Sequence, residues 1–176
     1  MFRKEFNRRQ MHKVALTLSC MVLIFSTLSV ANAQEPRIGH SGLPVPRFVN
    51  LKNDETWGRL RPSFDGEIRY TFQRKHLPVK VIAETRDDVW RQIEDPEGAT
   101  AWVHRSQLIS ADMVMIRHEG GIPLLRKPAA QADARAQLAH GLIVKAEGCD
   151  RGWCQVRTGG YRGWVPQATL WGLSKD

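Results

Sequence analysis

Two cysteines, Cys149 and Cys154, bracket the segment Asp150-Arg151-Gly152-Trp153. A turn of that length between two apolar strands sets the thiols opposite each other across a hairpin, where a disulfide can reach. In an oxidising compartment the pair reads as a bond. The loop it closes is so short that lost chain entropy contributes only about 2 kcal/mol. The alternative is a redox or metal pair, but the spacing is not C-x-x-C and no histidine motif lies at zinc-finger distance. His40, His76, His104, His118 and His140 are scattered without ligand spacing. Neither G-x-S-x-G nor H-E-x-x-H occurs. With the cysteines bonded, no nucleophile keeps a base. The sequence therefore assigns no catalytic residue, no metal and no cofactor, and the protein reads as a non-enzyme.

What is left for chemistry is binding by aromatic and arginine side chains. Trp90 has the opposite strand parity from Val89 and Ile93, and Trp153 the opposite parity from Val156. Successive residues of a half-buried strand face opposite ways. Both tryptophans are thus expected outside the core, on a groove or at a junction. Two readings stand side by side: contact with a ligand, or cover by loops and a neighbouring domain. Tyr161 follows Gly159-Gly160 in a turn, where an exposed aromatic can touch a ligand. Trp102 and Trp164, beside Val103 and Val165, read as structural, and Trp171 as a C-terminal plug.

These residues sit on a pattern that occurs twice. AWVHRSQL at 101–108 returns as GWVPQATL at 163–170, and the strand pair at 79–93 returns at 142–156. The offset of 62 or 63 residues is too long for a solenoid and fits a duplicated small domain. The first unit runs over 47–110, with strands at FVNL, Leu77–Ala83, Val89–Ile93 and Ala101–Val103 and a short helical turn at Ser106–Leu108. The second runs over 113–172, with strands at Met113–Ile116, Leu142–Ala146, Trp153–Val156 and Gly163–Val165. The alanine-rich stretch 129–139 reads as loop. Short alternating strands joined by Gly/Pro/Asp turns describe an all-β fold of two small antiparallel barrels in tandem. Each unit buries a marginal core, so the two are expected to pack together.

The amino-terminal quarter adds an address. Arg3, Lys4, Arg8, Arg9 and Lys13 precede an apolar run of 17 residues, Val14–Val30, and Ala31-Asn32-Ala33 is a cleavage site. Residues 1–33 read as a secretory signal peptide. The general secretory route is favoured over twin-arginine export, because His12 stands where an apolar residue is usual. Residues 34–46, with three prolines and two glycines, read as a flexible leader. Losing the signal peptide's five basic and one acidic residue takes the net charge from +8 to +4. That balance, with a periplasmic or secreted location and no basic stripe, argues against nucleic acid and against stable membrane insertion after cleavage.

The ordered set RFVNLKNDETWGRLRPS, HLPVKVIAE, VWRQI and AWVHRSQL, followed by LLRKP, HGLIVKAEGCDRGWCQV and GYRGWVPQATLWG, resembles the bacterial Src-homology-3-like domain family in a tandem, exported form. The resemblance covers about 125 residues. It implies a binding domain that recognises peptidoglycan or its peptides, or alternatively an envelope protein as an adaptor would. Trp57-Gly58-Arg59-Leu60-Arg61-Pro62 stands where the family carries Asn-Val-Arg-x-Gly-Pro, so Arg61 replaces the turn glycine and Trp57 becomes a candidate groove wall. Gln107 and Thr169 take the place of a groove tyrosine found in eukaryotic relatives. That argues against polyproline recognition, which relies on aromatic slots. Arg59, Arg61, Arg91 and Arg126 fall near the aromatics in this arrangement, and guanidinium groups suit the carboxylates of wall peptides. The candidate ligand-binding set is Trp57, Arg59, Arg61, Trp90, Arg91, Trp153 and Tyr161. Arg86 and Arg91 align with Cys149 and Cys154, and the first unit is the better place to look for a ligand.

Overall fold

The structure is a computed structural model and describes residues 37–174. The signal peptide, residues 1–33, lies outside the described residues, as does the start of the leader. No described helix is long and apolar enough to cross a membrane.

The first repeat is one antiparallel sheet of seven strands: β3 (Arg47–Leu51), β4 (Thr56–Arg59), β5 (Ile68–Phe72), β6 (Pro78–Glu84), β7 (Trp90–Glu94), β8 (Thr100–His104) and β9 (Leu108–Ser110). Its order is β5-β4-β8-β7-β6-β3-β9. The second repeat has β10 (Met113–Ile116), β11 (Ile122–Leu125), β12 (Ala134–Leu138), β13 (Ile143–Asp150), β14 (Trp153–Thr158), β15 (Tyr161–Pro166) and β16 (Leu170–Trp171). Its order, β12-β11-β15-β14-β13-β10-β16, is the same path. A single 3₁₀ turn precedes the last strand of each, Arg105–Gln107 and Gln167–Thr169. The fold is all-β with tandem, matching units. No ladder joins the edge strands of either sheet, so each wraps its core without closing into a hydrogen-bonded barrel.

Alternation fills the two cores with equivalent side chains. Val49, Leu51, Val79, Val81, Ile93 and Val103 form the first. Val114, Ile116, Val144, Val156 and Val165 repeat that pattern in the second, with Ile122, Leu124 and Leu138 added. One exchange shows how duplication was repacked. Gly58 lies so close to Ala101 that an added Cβ would sit 2.7 Å from the alanine methyl. At the matching rung of the second repeat the large residue is Leu124, and Gly163 is the small one, its Cβ position 2.7 Å from Leu124 Cγ. Bulk has moved across the strand pair, and the small residue has moved with it, because a close-packed core leaves no room for a side chain on both strands at this rung.

Three expectations need correction. The stretch 129–139 is not all loop: residues 134–138 form β12, whose Leu138 and Ala136 face Ile122 and Leu124 and close the second core. From Arg37 the leader is ordered, with β1 (Arg37–Ile38) paired to β2 (Pro44–Val45) and Val45 buried. Ser41 fastens this hairpin to the first repeat, donating to Glu84 through both its backbone N–H (2.8 Å) and its hydroxyl (2.7 Å). Finally, Cys149 aligns in space with Glu84 and not with Arg86. Glu84↔Arg91 and Cys149↔Cys154 are the same rung of the two hairpins, and the first has the longer loop.

The repeats share a seam. Asn50, fully buried, donates to the carbonyl oxygens of His76 (3.2 Å) and Met113 (2.9 Å) and accepts from the N–H groups of Asp112 (3.0 Å) and Met113 (3.1 Å). Trp171 packs edge-on to Phe48 at 5.0 Å and donates to the carbonyl of Pro78.

Candidate functional site

A groove of about 530 Å³ opens on the first repeat between the β3–β4 and β4–β5 loops on one side and β7, β8 and the 3₁₀ turn on the other. Its floor follows from register. Trp90 and His104 are directly paired residues of β7 and β8, and their rings meet edge to face at 5.5 Å. Phe64, from the loop after β4, caps both, 5.0 Å from Trp90 and 5.2 Å from His104. Trp90 is therefore outside the aliphatic core yet buried, only 5% exposed. Trp57 forms the wall. On β4 it alternates with inward Thr56 and Gly58 and stays 49% exposed.

Polar groups fix these rings. The Trp57 indole N–H donates to Glu55 (2.8 Å), and the Arg59 guanidinium lies 5.8 Å from the Trp57 ring centroid while donating to the carbonyl of Gly66 (2.6 Å). Asn53 donates to Gln107 (2.6 Å), tying the β3–β4 loop to the 3₁₀ turn. The backbone N–H of Ser106 donates to His104 Nδ1, so a neutral His104 carries its proton on Nε2. The groove offers two flat aromatic surfaces, the paired amides of Asn53 and Gln107, a carboxylate and a guanidinium. That set can stack on and hydrogen-bond an extended polar ligand. The nearest hydroxyl–imidazole pair, Ser106 and His104, is explained by the cap that His104 makes on the 3₁₀ turn.

Of the residues singled out in the sequence, Trp57, Arg59 and Trp90 line this groove. Arg61 is exposed in the β4–β5 loop and is not among its lining residues. Arg91 points the other way. It is 5% exposed, ion-paired to Glu84 (3.2 Å) and Asp88, and is not among the residues that line this groove. Trp153 and Tyr161 belong to the second repeat, Trp153 half-buried and Tyr161 54% exposed. Asn53, Glu55, Phe64 and His104 escaped the sequence reading as site residues. His104 was within reach of it: alternation from buried Ala101 and Val103 puts His104 on the outer face. Phe64 also carried a signal, as a large apolar residue inside Pro62-Ser63-Phe64-Asp65-Gly66.

The second repeat keeps a tryptophan, Trp153, at the place of Trp90 but differs at the other matching positions. Pro123 stands on the rung of Trp57, Pro166 opposite Trp153 where His104 faces Trp90, and Thr169 ends the 3₁₀ turn where Gln107 does.

A family model described as the bacterial SH3 domain matches the chain twice, over residues 52–109 and 118–172. Among curated proteins no sequence matches. Among solved structures, NlpC2 from Trichomonas vaginalis is similar with a TM-score of 0.33 and 10% identity, over 72% of this chain and 48% of that one. NlpC1 from the same organism gives a TM-score of 0.32 and 10% identity, over 71% and 45%. The chain thus spans about half the length of these two proteins.

Proposed function

The chain belongs to the bacterial SH3 domain family, and from that membership we propose that it is a non-catalytic binding protein of the cell envelope, its first repeat holding peptidoglycan or its peptides in the Trp57–Trp90 groove. One observation carries the reading: duplication kept the fold in both copies, but the second, which retains Trp153 at the place of Trp90, has Pro123, Pro166 and Thr169 where the groove has Trp57, His104 and Gln107. A core has no use for a half-exposed tryptophan held by its own carboxylate partner. Exposed aromatic surface beside oriented amides is what a binding site uses. The directly opposed Cys149–Cys154 disulfide supports an oxidising location, and the sequence's export signal agrees with it. Glu55 and Arg59 flank Trp57 with opposite charges, which suits a peptide carrying both amino and carboxylate groups.

The test is sedimentation with purified sacculi at low salt. The wild-type protein is expected in the pellet, and Trp57→Ala in the supernatant with unchanged thermal stability, because Trp57 is half exposed. Wild-type protein that stays entirely in solution, or a Trp57→Ala variant that pellets equally well, sinks the reading. Release of soluble muropeptides during the incubation would replace it with a hydrolase. Phe64, 67% exposed at the groove rim, suits a protein partner as well. Cross-linking in cells to one dominant envelope protein would favour that adaptor reading.

A further inference from the structure

On the outer face of the second repeat, Lys145, Arg157 and Arg162 stand directly opposite one another on β13, β14 and β15. Their side chains are 54%, 58% and 55% exposed. Like charges set opposite across a ladder work against the sheet. Glu147 offsets part of this, accepting from Arg157 (2.8 Å) and from Arg162. Burial alone would raise the Glu147 carboxyl, but the two arginine hydrogen bonds outweigh it and hold it below the usual range. Lys145 keeps only a loose contact with Asp112, at 3.5 Å.

The first repeat supplies an internal comparison. Its equivalent row is Lys80↔Glu94↔Thr100, and there Lys80 and Glu94 pair at 2.6 Å, so the row neutralises itself. The whole copies differ in the same sense. Residues 47–110 hold 11 basic and 10 acidic side chains, and residues 113–172 hold 8 and 4. The positive charge of the fold is concentrated in the copy that lacks the groove.

The row also has direction. Adjacent strands lie roughly 4.8 Å apart, so three cations extend over roughly 10 Å across the sheet. Lys127 continues it in register, since it shares the parity of Leu125, which pairs with Trp164 two residues from Arg162. A line of guanidinium and ammonium groups matches a linear polyanion better than a single small anion. A lipid surface fits less well, because among the described residues of this repeat Tyr161 is the one large apolar side chain exposed.

We propose that this row is a second, independent binding surface, and that its partner is a linear anionic glycan carrying repeated carboxylate or phosphate groups. It does not depend on the groove of the first repeat. The test uses the protein produced from its full sequence and two labelled probes, polygalacturonate for carboxylates and long-chain polyphosphate for phosphates, titrated by fluorescence anisotropy at several salt concentrations. Arg157→Glu with Arg162→Thr transplants the first repeat's row into the second. It is expected to weaken binding at least tenfold and to lower the salt slope by about two ions. Lys127→Gln, off the strands and without consequence for folding, is expected to weaken it a few-fold, and Trp57→Ala not at all. A preference for one probe identifies the anionic group. The proposal is overturned if neither probe binds, if the double variant binds like wild type, or if Trp57→Ala abolishes binding. Capture by phosphatidylglycerol vesicles or by single-stranded DNA in preference to both polyanion probes also overturns it.

Discussion

Glu84 is gripped from both sides of the first repeat. Ser41 donates to it twice, Arg47 pairs with it at 2.7 Å and Arg91 at 3.2 Å, and its side chain is 1% exposed. Burial pushes the carboxyl up, but the hydrogen bonds from Ser41 and Arg47 prevail and hold it at about 2, against 4.5 for a free glutamate. The folded value is depressed, so the stabilisation is complete above pH 4.5 and is lost as pH falls toward 2. A shift of that size corresponds to about 3 kcal/mol. Chemical denaturation across this window should show wild type losing that amount and Glu84→Gln losing much less. An identical acid profile for both would refute the assignment. Arg91 shows what the sequence held at this scale. Its parity matches Ile93, the inward face, a signal in the sequence that went unused. Grouping it with the nearby aromatics by family resemblance misplaced it. Trp57, by contrast, stands out as a departure from the family's turn motif and Arg59 as a residue that matches it, and both line the groove.

The hairpin is the element at which the two copies differ most. On one rung the first repeat carries the buried Glu84–Arg91 pair and the second the Cys149–Cys154 bond. Two chemistries thus hold the same pair of strands. The second turn is tight, with Arg151 (φ 47°) and Gly152 (φ 82°) both left-handed, as a two-residue type I′ hairpin requires. Replacing both cysteines by serine should cost about 2 kcal/mol, the small figure reflecting the short loop. Urea denaturation of the double variant beside wild type measures it, and a loss several times larger would mean the bond does more than close this turn. The turn, the bond and the central strands were legible because Gly, Cys and alternating valines mark them. β4, β5, β11 and β12 were not. They are short, and ARAQL at Ala134–Leu138 has little strand propensity of its own. Only tertiary packing of Ala136 and Leu138 onto the core makes it a strand.

For the molecule as a whole, the seam decides whether two repeats behave as one body. Asn50 spends one amide N–H on its own repeat, at His76, and the other N–H and its carbonyl on Asp112 and Met113 at the junction. Asn50→Ala would strand the N–H groups of Asp112 and Met113, at a cost of about 2–4 kcal/mol. Two-state urea unfolding of wild type is expected to split into two transitions in this variant. A single unshifted transition would show the clamp to be dispensable. Duplication and a short connection were readable from the repeated motif. The clamp was not, because an asparagine in a strand announces no partner 63 residues away.

A fixed seam has a consequence for avidity. When two weak sites are joined by a floppy tether, the second contact must be found among many tether shapes, and effective concentration falls as the tether lengthens. Here Asn50 removes that search. A wall fragment seated beside Trp57 would meet the Lys145–Arg157–Arg162 row at one distance and one angle, so the protein would act as a ruler that favours polymers of matching span.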